Sequence, residues 1–277
     1  MMPIDTLRSL YRRLFHGTWL QRWSLRAALR EQGLEPMLRY LEGVVPDITD
    51  QYTTFRVDTD YLRLKVRALH AFQMSLVRAA LNIRGSRQEP TSYVVDVGDS
   101  AGTHVQYVRQ YIADKYDTPP PTCWSVNWDP EAVKRIQSKG LDARLQNVEQ
   151  LDPGMVDHHL WANMPMCFET LEHLENPVGF LRAIRSCGCL VMTVPWVRRS
   201  RVVTGSRVAG QEGGHCFELS PGDWRAVLDR AGWQVTAAHV YRQYPRWHPA
   251  RVTRGWWRRR DYEGFWGCVA IPREKIT

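Results

Sequence analysis

The stretch SYVVDVGDSAGTHV, residues 92–105, reads as a strand that runs into a glycine-containing turn and then a helix. Tyr93, Val94, Val95 and Val97 are the apolar and β-branched residues a strand favours. The turn is Asp96-x-Gly98-x-Ser100-x-Gly102, and the helix-compatible run VQYVRQYIADKY follows. A junction of this kind aims backbone N–H groups and a helix N-terminus at whatever sits on the carboxyl end of the strand. Glycine brings the backbone close to a ligand with no Cβ in the way. Ser100 stands where a middle glycine would be, which the chain tolerates only if Ser100 keeps a negative φ. Alone, the pattern fits a packing turn as well as a ligand cradle.

The segments downstream decide between these. SVNWDPEAVKRI (125–136) reads as a second strand turning into a helix, and LDARLQNVEQL (141–151) follows. ETLEHLENPVGFLRAI (169–184), CLVMTVPW (189–196) and GHCFELSPGDWRAVLDRAGWQVTAAHVY (214–241) come next in order. Together these residues, about 91–241, resemble the class I S-adenosylmethionine-dependent methyltransferases, in particular the branch with an LEHL-x-x-P segment. The resemblance implies an α/β fold, a doubly wound Rossmann-like sheet, with added N-terminal helices that cover the site. It also implies S-adenosylmethionine as cofactor.

The resemblance carries over to particular positions. It assigns Asp96 to the amino-acid end of the cofactor, Gly98, Asp99 and Ser100 to backbone amides at the turn, and Gly102 to close packing of the next helix. Where the family's second strand usually ends in a ribose-binding acid, this chain has Asn127, followed by Trp128, whose ring face suits an adenine. An amide oxygen accepts a hydroxyl's hydrogen bond but its NH₂ cannot; Asp129 is the substitute if the turn is shifted. Asn147, followed by Val148, falls where an aspartate often meets the adenine amino group. Two acid-to-amide changes keep open a chain that retains the fold without catalysis, a binding or scaffold protein.

If the acceptor is a hydroxyl, in-line methyl transfer needs a base near it. Nine histidines are available, and two lie in motifs that should face the site. His215, in GGHCFEL, and His173, in LEHL, are the candidate bases, with Glu172 as a partner. The bland reading of His173 is a loop-fixing bond to a backbone carbonyl. His158 and His159 read as structural or exposed. No metal triad emerges from the spacing, and the six cysteines form no C-x-x-C pair, so they read as reduced thiols.

The chain divides into a helical region at 1–90 and the sheet domain at 91–277, with a basic insertion at about 242–263. The N-terminal part offers amphipathic helices at about 4–18 and through SLRAALREQG, the latter stopped near Gly33 and Pro36, then the long periodic run DYLRLKVRALHAFQMSLVRAAL. Residues 197–213 read as a loop above the sheet's carboxyl edge, and SPGDWRAVLDRAG as a helix capped by Ser220 and stopped by Gly232. A net charge of +8 is concentrated at the ends: residues 246–260 hold six arginines and no acid, interleaved with Trp247, Trp256 and Trp257. That segment admits three readings: tryptophans packed on the N-terminal helices, attachment to an anionic membrane surface, or phosphate binding. Nucleic-acid motifs are absent, which favours a small-molecule, glycan or lipid-linked acceptor over RNA. No stretch approaches the ~20 apolar residues of a membrane span, so the expected location is cytoplasmic, with membrane association open; the acceptor and the oligomeric state are not legible.

Overall fold

The computed structural model describes residues 19–86, 91–116, 119–151, 163–202, 214–248 and 264–273. The helix expected at 4–18, His158 and His159, the greater part of the 197–213 loop and the basic segment beyond residue 248 lie outside the described residues.

Three helices precede the sheet: α1 Trp19–Glu31, α2 Glu35–Val44 and α3 Asp60–Ser86. Between α1 and α2, Gly33 takes φ +67°, a left-handed turn open to glycine. Pro36 was expected to stop a helix there. It lies instead in the first turn of α2, where a missing N–H costs nothing and φ is already set. Arg67, buried on α3, holds the far end of α2 by donating to the carbonyls of Leu41 (3.1 Å) and Pro46 (2.5 Å).

The sheet is built from β1 Tyr93–Val97, β2 Thr122–Asn127, β3 Asp142–Leu145, β4 Met164–Phe168, β5 Leu190–Trp196, β8 Trp233–Tyr241 and β9 Gly264–Pro272. Its order is β3-β2-β1-β4-β5-β9-β8. The first five strands pair in parallel, and β9 inserts antiparallel between β5 and β8. The chain's order across the sheet reverses between β1 and β4, the switch point where open α/β sheets bind ligands. A short ribbon of β6 Arg201–Val202 and β7 Phe217–Glu218, not foreseen from the sequence, stands apart.

Four helices complete the layers: α4 Thr103–Lys115, α5 Pro130–Ser138, α6 Pro177–Ala183 and α7 Pro221–Arg230. Alternate residues of each central strand serve opposite cores, as the two-residue strand period requires. Val94, Met164, Met166 and Val191 pack with α1–α4, whereas Val95, Val97, Cys167 and Met192 pack with Phe180, Leu181, Trp224 and Leu228. The helices before the sheet therefore share one core with it. Ser220 caps α7 by accepting from Asp223 N, and Gly232 turns the chain with φ +88°, both as the sequence predicts.

The start of the basic segment docks on α1. Gln32 and the Arg242 backbone exchange two 2.8 Å hydrogen bonds, and the rings of Trp23 and Trp247 lie 5.0 Å apart. On the inner side, α3 reaches the sheet at Gly267, where a Cβ would lie 2.4 Å from Leu76 Cδ1 and 2.8 Å from Thr193 Cγ2. Gly267→Val should push the helix off the strands and lower unfolding stability by about 2–3 kcal/mol, measured as a shift of the urea midpoint.

Candidate functional site

At the end of β1, Gly98 adopts φ +87° and its N–H donates to the Val126 carbonyl at 2.8 Å. That amide was expected to face a ligand; it completes the parallel ladder with β2 instead. A Cβ on Gly98 would lie 2.6 Å from Thr170 Oγ1, which donates to Val97 O at 2.7 Å. The glycine thus lets the loop after β4 lie directly on the turn after β1. Among the described residues Glu169 is the one non-glycine with positive φ, so Ser100 meets the condition set for it.

Asp99 is a bracket within the turn. Its carboxylate accepts from Ala101 N (3.0 Å) and Ser125 Oγ (3.2 Å), and its carbonyl accepts from Asn127 Nδ2 at 2.8 Å. Asn127 Oδ1 accepts from Asp129 N at 2.9 Å. The expected ribose acceptor therefore spends both ends on the protein, because an amide, unlike a carboxylate, can donate. Asp129 caps α5 through Glu131 N, so it too holds its own turn. Gly102, with φ +71°, begins α4; its Cβ position is 2.5 Å from Leu141 Cδ1, the close packing expected of it.

Trp128 stands exposed at the tip of β2. Asn147 caps a 3-10 turn, Val148–Gln150, by accepting from Glu149 N, and Val148 is buried beneath. Glu149 in turn accepts from the backbone N–H groups of Glu175 and Asn176. These residues share the carboxyl edge of the sheet; Asn147 is held by its own turn, and Glu149 ties that turn to the loop after β4.

Beneath the turn lies a buried polar chain that the sequence did not announce. Asp96 Oδ2 is 3.1 Å from His104 Nδ1, His104 Nε2 is 2.9 Å from Gln73 Oε1, and Gln73 Nε2 donates to Thr193 Oγ1 at 3.1 Å. Both imidazole nitrogens face acceptors, which fits a doubly protonated ring. Burial pulls the His104 pKa down, but Asp96, followed by Asp99, outweighs it and holds the group above its ordinary value. Burial, then the charge of Asp99, pushes Asp96 up to about 6. Asp96 and His104 both lie in the opening stretch, eight residues apart, but only Asp96 was singled out there; Gln73 comes from α3, far away in the chain.

The connector between α2 and α3 closes over this edge. Gln51 Oε1 accepts from Thr103 Oγ1 at 2.6 Å, and Arg135 Nη1 donates to Asp50 O at 2.8 Å. Tyr52 stacks on Phe55 at 4.6 Å. Burial, then the charges of Glu169 and Asp99, push its phenol up to about 12. The sequence reading treated this segment as a polar connector.

The three candidate catalytic residues converge. The ligating atoms of Glu172, His173 and His215 lie within 4.8 Å of one another, and the two rings meet edge to face at 4.9 Å. Residues 214–218 are fastened to the LEHL turn by Cys216, whose N–H donates to Glu172 O at 2.7 Å and whose thiol donates to His173 O at 3.2 Å. His173 Nδ1 is 3.3 Å from Gly214 O, and His215 Nδ1 is 3.1 Å from Glu218 Oε1. Glu172 is 1% exposed, and neither carboxylate oxygen has a hydrogen-bond partner. Burial is the main reason its pKa rises to about 8, and the charge of Glu218 adds to it.

A carboxyl whose folded pKa lies above its unfolded value stabilises the protein below the unfolded pKa and loses that contribution as pH rises through the folded one. For Glu172 the window runs from 4.5 to about 8. With a chelator present, so that no cation pairs with the carboxylate, Glu172→Gln should match the native chain at pH 4.5. At pH 8 it should be more stable by roughly 2–4 kcal/mol, read from denaturant unfolding at the two pH values.

No protein-family model matches the chain, and no curated protein matches it. Solved structures do. The 4+2 cyclase SpnF aligns with a TM-score of 0.50 at 14% identity, over 91% of this chain and 96% of its own. The magnesium protoporphyrin IX methyltransferase of Synechocystis PCC 6803, crystallised with bound SAH, gives 0.48 at 13% identity, over 89% and 96%. The N-terminal domain of EvdMO1, also with SAH bound, gives 0.46 at 12%, over 87% and 97%. At such identities the likeness is one of fold: a Rossmann-like methyltransferase sheet with helices before it.

Proposed function

We propose that this chain is an S-adenosylmethionine-dependent methyltransferase acting on a small acceptor, with oxygen of a glycan, lipid-linked or specialised-metabolite molecule as the methylated atom. One observation carries the reading: the turn after β1 and the Glu172–His173–His215 cluster after β4 stand on neighbouring strands, at the carboxyl edge, where the strand order reverses. A cofactor grip and an acid–base cluster side by side are what group transfer requires.

The residues present fit the cofactor at its amino-acid end. Asp96 Oδ2 meets no donor except the His104 imidazole, and Glu169 Oε1, out of reach of solvent, has no partner among the described residues. Buried acceptors without donors favour a cationic guest, and S-adenosylmethionine carries an ammonium and a sulfonium. The cofactor supplies the activated methyl group. His104 holds Asp96 in place, and Trp128 offers a ring face to the adenine. His215 accepts the acceptor's proton while Glu218 holds its Nδ1–H, with His173 alongside.

A binding protein of the same fold is the second reading, favoured by Asn127 and Asn147 engaging their own turns. Calorimetry with S-adenosylmethionine separates the two. The methyltransferase reading expects binding with one site per chain, weakened at least about tenfold by Asp96→Asn, since a buried charge-assisted contact is worth about 1.5–3 kcal/mol. Absence of binding at millimolar cofactor favours the scaffold.

The acceptor side of the proposal includes an anionic surface. Trp19, Trp23 and Trp247 are exposed on the α1 side next to Arg22 and Arg246, a pairing suited to a headgroup interface. No helix among the described residues is long and apolar enough to cross a membrane, so contact would be peripheral. The chain should co-sediment with phosphatidylglycerol vesicles at low salt and release as salt rises. Trp23→Ser with Trp247→Ser should cut the bound fraction severalfold; equal binding to neutral vesicles would remove the electrostatic part of this reading.

A further inference from the structure

We propose that Glu172, His173 and His215 form a binding site for a divalent transition-metal cation of the zinc type. The inference goes beyond methyl transfer and stands on geometry that does not depend on it. Spacing in the chain hides the set, because His215 lies some forty residues after His173. The structure brings the three ligating atoms within 4.8 Å of one another.

Glu172 points to a missing cation. Its side chain is almost wholly buried, and both oxygens lack a hydrogen-bond donor. Buried carboxylates are ordinarily bonded, paired or metal-bound. Here the groups at hand are two imidazoles, which are neutral donors of a lone pair when deprotonated at one nitrogen.

The histidines are set up in the manner of metal ligands. His173 Nδ1 faces the Gly214 carbonyl and His215 Nδ1 faces the Glu218 carboxylate, at 3.3 and 3.1 Å. Neither partner can donate, so in the neutral ring each Nδ1 carries the proton and each Nε2 is the nitrogen that would offer its lone pair to a metal. A carbonyl or carboxylate behind the ring is the usual outer support of a metal-bound histidine. Glu218 is itself fixed by Arg201, and Cys216 ties the two ligand-bearing segments together.

Two imidazoles and one carboxylate match the three-ligand sets that leave a position open on zinc, whereas calcium and magnesium ask for more oxygens. Around a tetrahedral ion with bonds of about 2.1 Å the ligating atoms sit about 3.4 Å apart, so loading draws the set inward. With the ion bound, the Nε2 lone pair of His215 goes to the metal and not to the acceptor's proton, and the open position beside the cofactor turn would polarise the acceptor oxygen instead.

The test uses the full chain, stripped with a chelator and titrated with Co²⁺ or Zn²⁺ alone. The expected result is one equivalent bound, with visible cobalt absorption typical of nitrogen and oxygen ligands. Glu172→Gln and His215→Ala should each weaken binding at least about 100-fold, while His239→Ala, exposed on β8, should leave it unchanged. Circular dichroism checks that the variants fold, and the cobalt spectrum of the native chain needs no variant. Absence of stoichiometric binding, native affinity in both ligand variants, or a thiolate-to-cobalt charge-transfer band would overturn the site. Because no cofactor is added, loss of this site leaves methyl transfer standing, and a failed S-adenosylmethionine titration leaves the metal result intact.

Discussion

The buried pair of Asp96 and His104 is the constraint on which the rest of this molecule is arranged. It joins the end of β1 to the first turn of α4, and through Gln73 and Thr193 it extends to α3 and β5. Taking two charges out of water costs several kcal/mol each unless geometry and further hydrogen bonds offset it. The chain meets that cost with a ring paired to Asp96 on one side and hydrogen-bonded to Gln73 on the other, and an amide that relays the contact to a hydroxyl. Helices before the sheet are thereby bound to its carboxyl edge by polar contact as well as by the shared apolar core.

The same edge carries a marked excess of buried acid. Asp96, Asp99, Glu169 and Glu172 all lie close to the switch between β1 and β4, and the carboxyls of Asp96, Glu169 and Glu172 are raised in pKa chiefly by burial. Asp99 is satisfied by its own turn; Glu172 and Glu169 Oε1 are not. An environment of this kind favours positive guests, whether a sulfonium, an ammonium or a metal ion. Burial favours the protonated form of these carboxyls, and a positive guest would favour the charged one.

Fold and chemistry remain separate matters. A fold of this kind hosts many chemistries, so the sheet by itself names no reaction. What argues for group transfer is the side-chain arrangement: an acid at the β1 turn and a two-histidine cluster after β4 at the same edge.

Much of this was legible in the chain. Runs of β-branched residues ending in glycine turns, alternating with amphipathic stretches, dictate a parallel sheet with helices on its faces, because each strand must be covered on both sides. Ser220, Pro221 and Gly232 set the limits of α7 through local bonding and φ alone. Pro36 and α2 were misjudged because a proline in the first turn of a helix looks, in sequence, like a proline that ends one. His173, Glu172 and His215 were named from their motifs, but their meeting was not, since an intervening β-strand, loop and ribbon separate them. The tertiary structure alone decided that Asn127 turns its amide to Asp99, that Gln73 reaches His104, and that Glu172 is sealed from water without a donor. These are contacts between residues distant in the chain, set by how layers stack, and no local pattern of side chains encodes them.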